Sequence, residues 1–366
     1  MNSPPPATRR RRVLLTPGPV NVHERVREAA ACVDVGHREP EALKALQRVR
    51  EAATTVFGGG TEHATIVLTG SGTAALEAVL SSVVPRRGHV LVLENGRFGQ
   101  RIGHIVATHG LAHTVVSTPW NEPFDVDRLE RLVERNPEIT HLAFVHHETS
   151  TGILNPAGEI ARAAASCGIR VIVDATSSLG SERLDIAADC IDWCVASSNK
   201  CLEALPGLSL VCGTKDGFAN LPNGATFYLD LHRHWLSQEV LREPLFTPAV
   251  QLIFALDTAL EILLAEGVEM RRRRYTSLAE RLRSALLGRG GRFPVRDINR
   301  SSSMTVWQLP AGVSSVDVRQ NVREFGFVIY GAPQVFGEAC GVATMGQLSA
   351  QEVDDFVGVL DSALRA

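Results

Sequence analysis

Residues 169–200 read IRVIVDATSSLGSERLDIAADCIDWCVASSNK, and they contain two strand-like runs that are each followed by an ionisable side chain. The first run, Ile169 to Val173, ends at Asp174, and the second, Trp193 to Ser197, ends shortly before Lys200. Short apolar runs with β-branched side chains are typical of buried strands. Open α/β sheets bind their ligands at the carboxyl ends of the strands. We therefore expect Asp174 and Lys200 to lie close together at one edge of a sheet.

The sequence on either side alternates similar runs with helical patterns from about Thr61 onward. Further strands are predicted at 65–68, 89–93, 141–146 and 208–212. This alternation predicts an α/β fold with a mainly parallel sheet covered by helices. After Pro248 long helices and short strands follow, so we expect a large domain over 13–250 and a smaller α+β domain over 251–366. Residues 1–12, which include the run Arg9 to Arg12, are predicted to form a disordered tail.

Charge and cysteine content exclude several functional classes. The 37 Lys and Arg residues and 40 Asp and Glu residues leave a net charge of −3, which favours neither nucleic acid nor an anionic membrane as a partner. Seven scattered cysteines favour a reducing, cytoplasmic location over a disulfide framework. Cys190 and Cys194 lack a second pair at zinc-ligand spacing, so no metal site is expected.

Two further segments supply groups that could hold a phosphorylated cofactor. The turn Thr69-Gly-Ser-Gly-Thr73 joins a predicted strand to a predicted helix, and its backbone N–H groups and hydroxyls could bind an anion. Phe98 follows another strand and could stack on an aromatic ring. The turn could equally be a tight helix cap, and Phe98 a core residue.

A lysine, a strand-end carboxylate, an anion cradle and a ring-face partner are the groups that pyridoxal 5′-phosphate (PLP) requires. Lys200 lies in a semi-apolar context that favours its neutral amine, although a surface lysine is the competing interpretation. A buried Asp174 requires a partner, which a protonated pyridine could supply; the alternative is a helix N-cap.

The order of short motifs along the chain resembles that of the class V, fold-type-I PLP-dependent aminotransferases. The resemblance covers nearly the whole chain from about Val13 and rests on these stretches: LTPGP (15–19), GSGT (70–73), NGRFG (95–99), HETSTG (147–152), VDA (173–175) and SNK (198–200). The resemblance implies a seven-stranded sheet in the large domain. It also implies a small amine as substrate, and 2-aminoethylphosphonate or a related phosphonate is the first candidate.

The resemblance also implies a role for each candidate residue. Lys200 would form the Schiff base with PLP, and Asp174 would pair with the pyridine nitrogen. The other cofactor-binding residues would be Ser71, Gly72 and Thr73 at the phosphate, Phe98 on the ring face, Thr149 at the ring hydroxyl, Asn199 beside the lysine, and Thr247 at the phosphate of a neighbouring subunit. A homodimer with shared active sites is thereby implied, with an amine and a 2-oxo acid as partners.

One departure from the family pattern lies in the expected substrate pocket. Gly341 stands where the family carries an arginine that binds the substrate carboxylate, and glycine cannot replace a guanidinium. Arg38, Arg233 and Arg242 are candidates to take over that contact.

Three functions therefore stay open. An aminotransferase is expected first. The missing arginine also allows a PLP-dependent lyase or carbon–carbon bond-forming synthase, and a non-catalytic binding protein is the third. His146, His147 and Glu148 are either proton-handling residues or polar loop residues satisfied by the backbone, whereas His232 and His234 are expected on a surface loop.

Overall fold

The computed structural model describes residues 12–31, 34–222 and 226–364. The predicted tail therefore lies outside the described residues, apart from Arg12. The α-helices of the described part are α1 (Glu24–Ala30), α2 (Pro40–Val56), α3 (Gly72–Val83), α4 (Arg97–Thr108), α5 (Val126–Arg135), α6 (Ala157–Ser166), α7 (Lys215–Ala219), α8 (Leu231–Trp235), α9 (Val250–Glu266), α10 (Val268–Leu287), α11 (Ser315–Glu324) and α12 (Ala350–Ala363).

The strands of the same residues are β1 (Val13–Leu14), β2 (His63–Thr69), β3 (His89–Glu94), β4 (Ala112–Ser117), β5 (His141–Val145), β6 (His147–Glu148), β7 (Ile153–Leu154), β8 (Arg170–Asp174), β9 (Trp193–Ser197), β10 (Leu208–Thr214), β11 (Met304–Gln308), β12 (Phe327–Val328), β13 (Tyr330–Gly331) and β14 (Ala339–Ala343).

Seven strands form the main sheet in the order β2-β10-β9-β8-β5-β3-β4. The strands from β9 to β4 pair in parallel, whereas β10 runs antiparallel to both β9 and β2. The predicted α/β fold with a mainly parallel, helix-covered sheet is confirmed. The edge strand β4 was not among the predicted strands, since its side chains are largely exposed and no continuous apolar run marks it.

The two faces of this sheet are both buried, which explains the unbroken apolar runs. Successive side chains of a strand point to opposite faces. Val171 and Val173 of β8 accordingly join one apolar cluster, with helices α2, α6 and α9, while Ile172 joins a second cluster with α3 and α4. Both faces therefore hold β8 in place, and Asp174 with it.

The C-terminal region forms a second layer beside the main sheet. The strands β11, β14 and β13 make a small sheet, and β1 pairs in parallel with β12. A third apolar cluster packs α10, α11 and α12 against one face of this small sheet, around Trp307 and Phe356. Across 12–31, 34–222 and 226–364, no helix is both long and apolar enough to span a bilayer.

The expectation that His234 lies on a surface loop is wrong. This residue belongs to the short helix α8, its side chain is buried, and its Nε2 lies 2.8 Å from the carbonyl oxygen of Tyr228. His232 is half-buried and lies 3.0 Å from the carbonyl oxygen of Phe218. The carbonyl partners of His232 and His234 lie 14 and 6 residues away along the chain, and no apolar pattern marks the burial of His234 in the sequence.

A buried arginine of α10 connects this layer to the segment that carries Lys200. Arg271 is fully buried and donates to Glu266 (2.8 Å) and to the carbonyl oxygen of Cys201 (2.9 Å). We expect Arg271→Met to lower the free energy of unfolding by about 2–3 kcal/mol, because a buried carbonyl and part of a carboxylate lose their donor. Denaturant titration measures this change. Arg273→Met on the exposed face of the same helix is the control and should leave the stability unchanged; equal losses would contradict the assignment.

Candidate active site

The residues predicted to converge follow strands that end at the same edge of the main sheet. In the parallel pair β8 and β9, Asp174 lies opposite Val195, and Lys200 follows five residues later. Since β10 is antiparallel to both β2 and β9, β2 has the same direction as β9. Ser71, just after β2, therefore belongs to this edge as well.

Lys200 occupies the turn after β9 and faces the loop that precedes α1. Its Nζ donates to the carbonyl oxygen of Pro17 (2.7 Å) and lies 5.7 Å from the ring centroid of Phe98. Burial lowers the pKa of Lys200, although the nearby Asp174 carboxylate opposes this effect. A neutral amine is the nucleophilic form of lysine, so its surroundings favour covalent chemistry with a carbonyl compound.

Asp174 is a buried carboxylate whose two oxygens are bound from different directions. The side chain is 1% exposed. Its Oδ1 accepts from the backbone N–H of Thr176 (2.9 Å), and its Oδ2 accepts from Nη2 of Arg101 (2.5 Å). The predicted N-cap alternative is not supported, because the residues that follow form a turn and not a helix.

Arg101 was missed by the sequence analysis, yet it links three predicted site residues. Besides the Asp174 contact, its Nη1 donates to the hydroxyl of Thr73 (3.1 Å), and its guanidinium carbon lies 4.8 Å from the ring centroid of Phe98. The available signal was helical spacing: Phe98 and Arg101 are three residues apart on α4 and share one of its faces.

The predicted anion cradle forms the beginning of α3. Ser71 is its exposed N-cap residue and Gly72 is buried. The N–H groups of a first helical turn have no acceptor within the helix, and the helix dipole favours an anion there. A Cβ on Gly72 would lie 2.9 Å from both Cγ2 and Oγ1 of Thr176, so the turn packs directly against the Asp174 loop.

Unsatisfied hydroxyls surround this region. Thr149 is 2% exposed, and within the described ranges its Oγ1 has no hydrogen-bond partner. The same holds for Oγ1 of Thr176 and Oγ of Ser197. Buried polar atoms without partners are uncommon and indicate a place for a ligand or water.

Asn199 and Thr247 lie at the margin of this cluster. Asn199 is half-buried, and its carbonyl oxygen would be 3.2 Å from a Cβ on Gly18. Thr247 is exposed, and two residues later the N–H of Ala249 donates to Oγ1 of Thr69, beside the cradle. Within the part of the chain that the structure describes, Thr247 makes no side-chain hydrogen bond to the other predicted residues.

Glu148 anchors the helix that carries Phe98 and Arg101. Its Oε2 accepts from the backbone N–H groups of Phe98 (2.9 Å) and Gly99 (3.1 Å), and its Oε1 accepts from the N–H and the hydroxyl of Ser150. Burial raises the pKa of the Glu148 carboxyl, and these four donors partly offset the rise. A carboxylate engaged in this way is an N-terminal anchor of α4.

The two neighbouring histidines are fully buried. His147 donates from Nδ1 to the carbonyl oxygen of Ser177 (3.0 Å), which also accepts from Cys201. Burial lowers the pKa of His147 to about 4 and that of His146 to about 3, so both imidazoles are neutral at physiological pH. His147 thereby connects the loop after Asp174 to the segment that carries Lys200.

Gly341 lies in the middle strand of the small sheet, on the same face as Ala339 and Ala343, which belong to the first apolar cluster. It pairs with Val306 and Tyr330, and the methyl carbon of Met304 is 2.6 Å from the position that a Cβ of Gly341 would take. This place is therefore apolar.

The three candidate arginines have other partners. Arg38 pairs with Glu243 (3.4 Å), Arg242 donates to Gln47 (2.8 Å), and the Arg233 guanidinium carbon lies 4.6 Å from the ring centroid of Phe227.

Known proteins resemble this chain over nearly its whole length. The family model described as "Aminotransferase class-V" matches residues 20–359. The 2-aminoethylphosphonate–pyruvate transaminase of Pseudomonas aeruginosa is 33% identical over 357 residues, which is 96% of this chain and 96% of that protein.

Solved structures show the same fold. An alanine–glyoxylate aminotransferase from Nostoc sp. superimposes with a TM-score of 0.93 at 27% identity, covering 100% of this chain and 98% of that one. An aspartate aminotransferase from Thermus thermophilus gives a TM-score of 0.88 at 28% identity, with coverages of 96% and 99%.

The anchoring by Glu148 leads to a stability prediction. Glu148→Gln should lower the free energy of unfolding by about 2 kcal/mol. The glutamine side chain has one oxygen fewer, and its NH2 group would be a donor facing other hydrogen-bond donors, such as the backbone N–H groups at the beginning of α4. Denaturant unfolding measures the loss. Glu159→Gln, an exposed first-turn position of α6, is the matched control. If both variants are as stable as the parent protein, Glu148 does not anchor the helix.

Proposed function

Because the chain belongs to the class V aminotransferase family, whose members are PLP-dependent transferases, we propose that it transfers the amino group of a small amine to a 2-oxo acid, with Lys200 as the covalent anchor of the cofactor. The observation that carries this proposal is that Lys200 and Arg101 both lie against the ring of Phe98, and that Arg101 also donates hydrogen bonds to Asp174 and Thr73. These residues follow or belong to different strands and helices, so their meeting is a property of the fold.

The side chains fit PLP in charge and in hydrogen-bonding capacity. Asp174 supplies the carboxylate for the ring nitrogen, and the first turn of α3, with Ser71, Gly72 and Thr73, supplies the phosphate cradle. Phe98 offers a ring face. When bound, PLP withdraws electrons from the amine-bearing carbon of the substrate, which makes a proton on that carbon acidic.

Two further residues would complete the cofactor site. The partnerless Oγ1 of Thr149 supports a contact to the ring hydroxyl. Asn199 supports the lysine turn through its contact with the Pro17–Gly18 loop. Lys200 itself has a lowered pKa, so its Nζ can accept a proton and return it to a neighbouring atom of the substrate.

A small amine is the proposed amino donor, with 2-aminoethylphosphonate or a related phosphonate as the first candidate. This choice is supported by the name of the Pseudomonas aeruginosa relative and by its 33% sequence identity to this chain. Met304 fills the place where a long basic side chain at position 341 would begin. The part of the pocket that would bind the acid group of the substrate is therefore apolar at this position.

That observation also favours a second candidate function. A pocket without a guanidinium at Gly341 orients an amino acid differently, and orientation at the cofactor decides which bond of the substrate breaks. A PLP-dependent lyase or a carbon–carbon bond-forming synthase is therefore the alternative.

Product analysis over a panel of amines separates the two candidates. The PLP-loaded protein is incubated with 2-aminoethylphosphonate and pyruvate, for which transamination gives phosphonoacetaldehyde and alanine in equal amounts. Other amines and amino acids follow, with mass analysis of all products. Lys200→Ala should give no product and no visible absorbance of bound cofactor, whereas Lys44→Ala, at an exposed lysine of α2, should behave like the parent protein.

Transfer of nitrogen to the oxo acid with any amine supports the aminotransferase. Release of carbon dioxide, phosphate or ammonia without alanine would establish the alternative. Full activity of Lys200→Ala would contradict the assignment of the lysine.

A homodimer with shared active sites is part of the proposal. Phe227, Val240 and Leu241 are 74%, 57% and 66% exposed, and they lie in the segment between α7 and α9 that also contains Thr247. A concentration of large exposed apolar side chains is typical of an interface. Thr247, which is exposed and makes no side-chain hydrogen bond to the other predicted residues within the described ranges, would there reach the phosphate cradle of the second subunit.

The dimer is tested by light scattering. Leu241→Asp places a charge in this apolar patch and should convert the dimer to a monomer, with a loss of bound PLP because Thr247 leaves the second site. Leu287→Asp, at an exposed leucine that ends α10, is the control and should stay dimeric. A Leu241→Asp protein that remains a dimer would contradict the proposed interface.

The division into a large domain (13–250) and a small domain (251–366) also stays a proposal. The third apolar cluster, whose members other than Leu15 lie between Leu278 and Ala363, supports a separate C-terminal unit against which the N-terminal strand β1 also packs. Cytoplasmic location is likewise proposed; the buried free thiols of Cys194, Cys201 and Cys212 support a reducing compartment.

A further inference from the structure

The proposed function assigns no role to Arg101, although this charged residue lies in the site. Its side chain is 23% exposed and makes an ion pair with Asp174, which is 1% exposed. Within the described ranges its Nε is buried without a partner, so the two terminal nitrogens provide its hydrogen bonds to protein. One of these goes to the ring-nitrogen carboxylate and the other to the phosphate cradle.

The surroundings of Asp174 contain one guanidinium and one amine. Arg101 donates to Oδ2 directly, and the Lys200 amine lies within electrostatic range of the same carboxylate. The other neighbours are neutral: the Thr176 N–H on Oδ1 and the buried thiol of Cys194, whose pKa is raised by burial. A protonated ring nitrogen would be a further cation on this carboxylate.

The position of the guanidinium is fixed from both sides. The Thr73 hydroxyl accepts from Nη1, and the Phe98 ring packs 4.8 Å from Cζ. Helix α4, which carries both Arg101 and Phe98, is held at its N-terminus by Glu148. The pair with Asp174 therefore belongs to the framework of the site.

A carboxylate stabilises a proton on a neighbouring nitrogen by attraction of opposite charges. A guanidinium on the same carboxylate neutralises part of that charge, so the attraction that remains for the ring proton is smaller. Removal of the guanidinium charge should therefore strengthen the preference of the site for a protonated ring.

We propose that Arg101 is a positioning residue that competes with the cofactor's ring nitrogen for the Asp174 carboxylate and thereby limits how strongly the site protonates the ring. This inference rests on the proposed function, because it takes Asp174 as the partner of the ring nitrogen.

The test compares binding of two ligands and does not depend on turnover. The ligands are PLP and the PLP analogue in which a CH group replaces the ring nitrogen, and the readout is the ratio of their dissociation constants. Arg101→Gln should raise the preference for PLP about tenfold, the equivalent of one pKa unit on the ring nitrogen. Arg101→Lys keeps the charge and should leave the ratio near the parent value. Arg97→Gln, an exposed position on the same helix, is the control.

The same substitution in an Asp174→Asn protein shows whether Arg101 changes the ratio of dissociation constants through the Asp174 carboxylate. In Asp174→Asn protein, Arg101→Gln should no longer change the ratio. Equal weakening of both ligands by Arg101→Gln would indicate a purely structural role and overturn the inference, as would an unchanged ratio or the same change in the Asp174→Asn background. Failure of PLP to bind the unsubstituted protein would instead overturn the proposed function, and this inference with it.

Discussion

The buried carboxylate of Asp174 is the constraint on which the site depends. An ionised carboxyl group with almost no solvent contact is strongly unfavourable unless cations and hydrogen-bond donors compensate it. At the end of β8, where both faces of the sheet are covered, its side chain is only 1% exposed. The donors have to come from neighbouring elements: Thr176 from the following turn and Arg101 from α4. The loop and helix arrangement at this edge of the sheet follows from that requirement.

Two anchors outside the immediate site keep those donors in place. Glu148 holds the beginning of α4, so Phe98 and Arg101 have fixed positions relative to the sheet. The carbonyl oxygen of Ser177 accepts from both His147 and Cys201, which ties the loop after Asp174 to the residue next to Lys200. The acid and the amine are thus positioned by hydrogen bonds from neighbouring elements, of which the neutral His147 supplies one.

The sequence predicted the fold and the converging residues well, because unbroken apolar runs indicate buried strands and parallel strands bring their carboxyl ends to one edge. The partners of those residues were harder to predict. Arg101 looks like any arginine of an amphipathic helix until its ion pair with Asp174 is seen. The anchoring role of Glu148 depends on a contact 50 residues away along the chain. His234 was misassigned because no apolar pattern marks its burial and its partner, the carbonyl oxygen of Tyr228, is not evident from the sequence.

The most direct test of the account is chemical trapping of the cofactor. PLP is bound to the purified protein, the adduct is reduced with borohydride, and the digested protein is mapped by mass spectrometry. The account predicts a reduced pyridoxyl phosphate group on the peptide that contains Lys200. Labelling of Lys44 or Lys215, the other two lysines of the chain, or no labelling of Lys200 at saturating PLP, would contradict it.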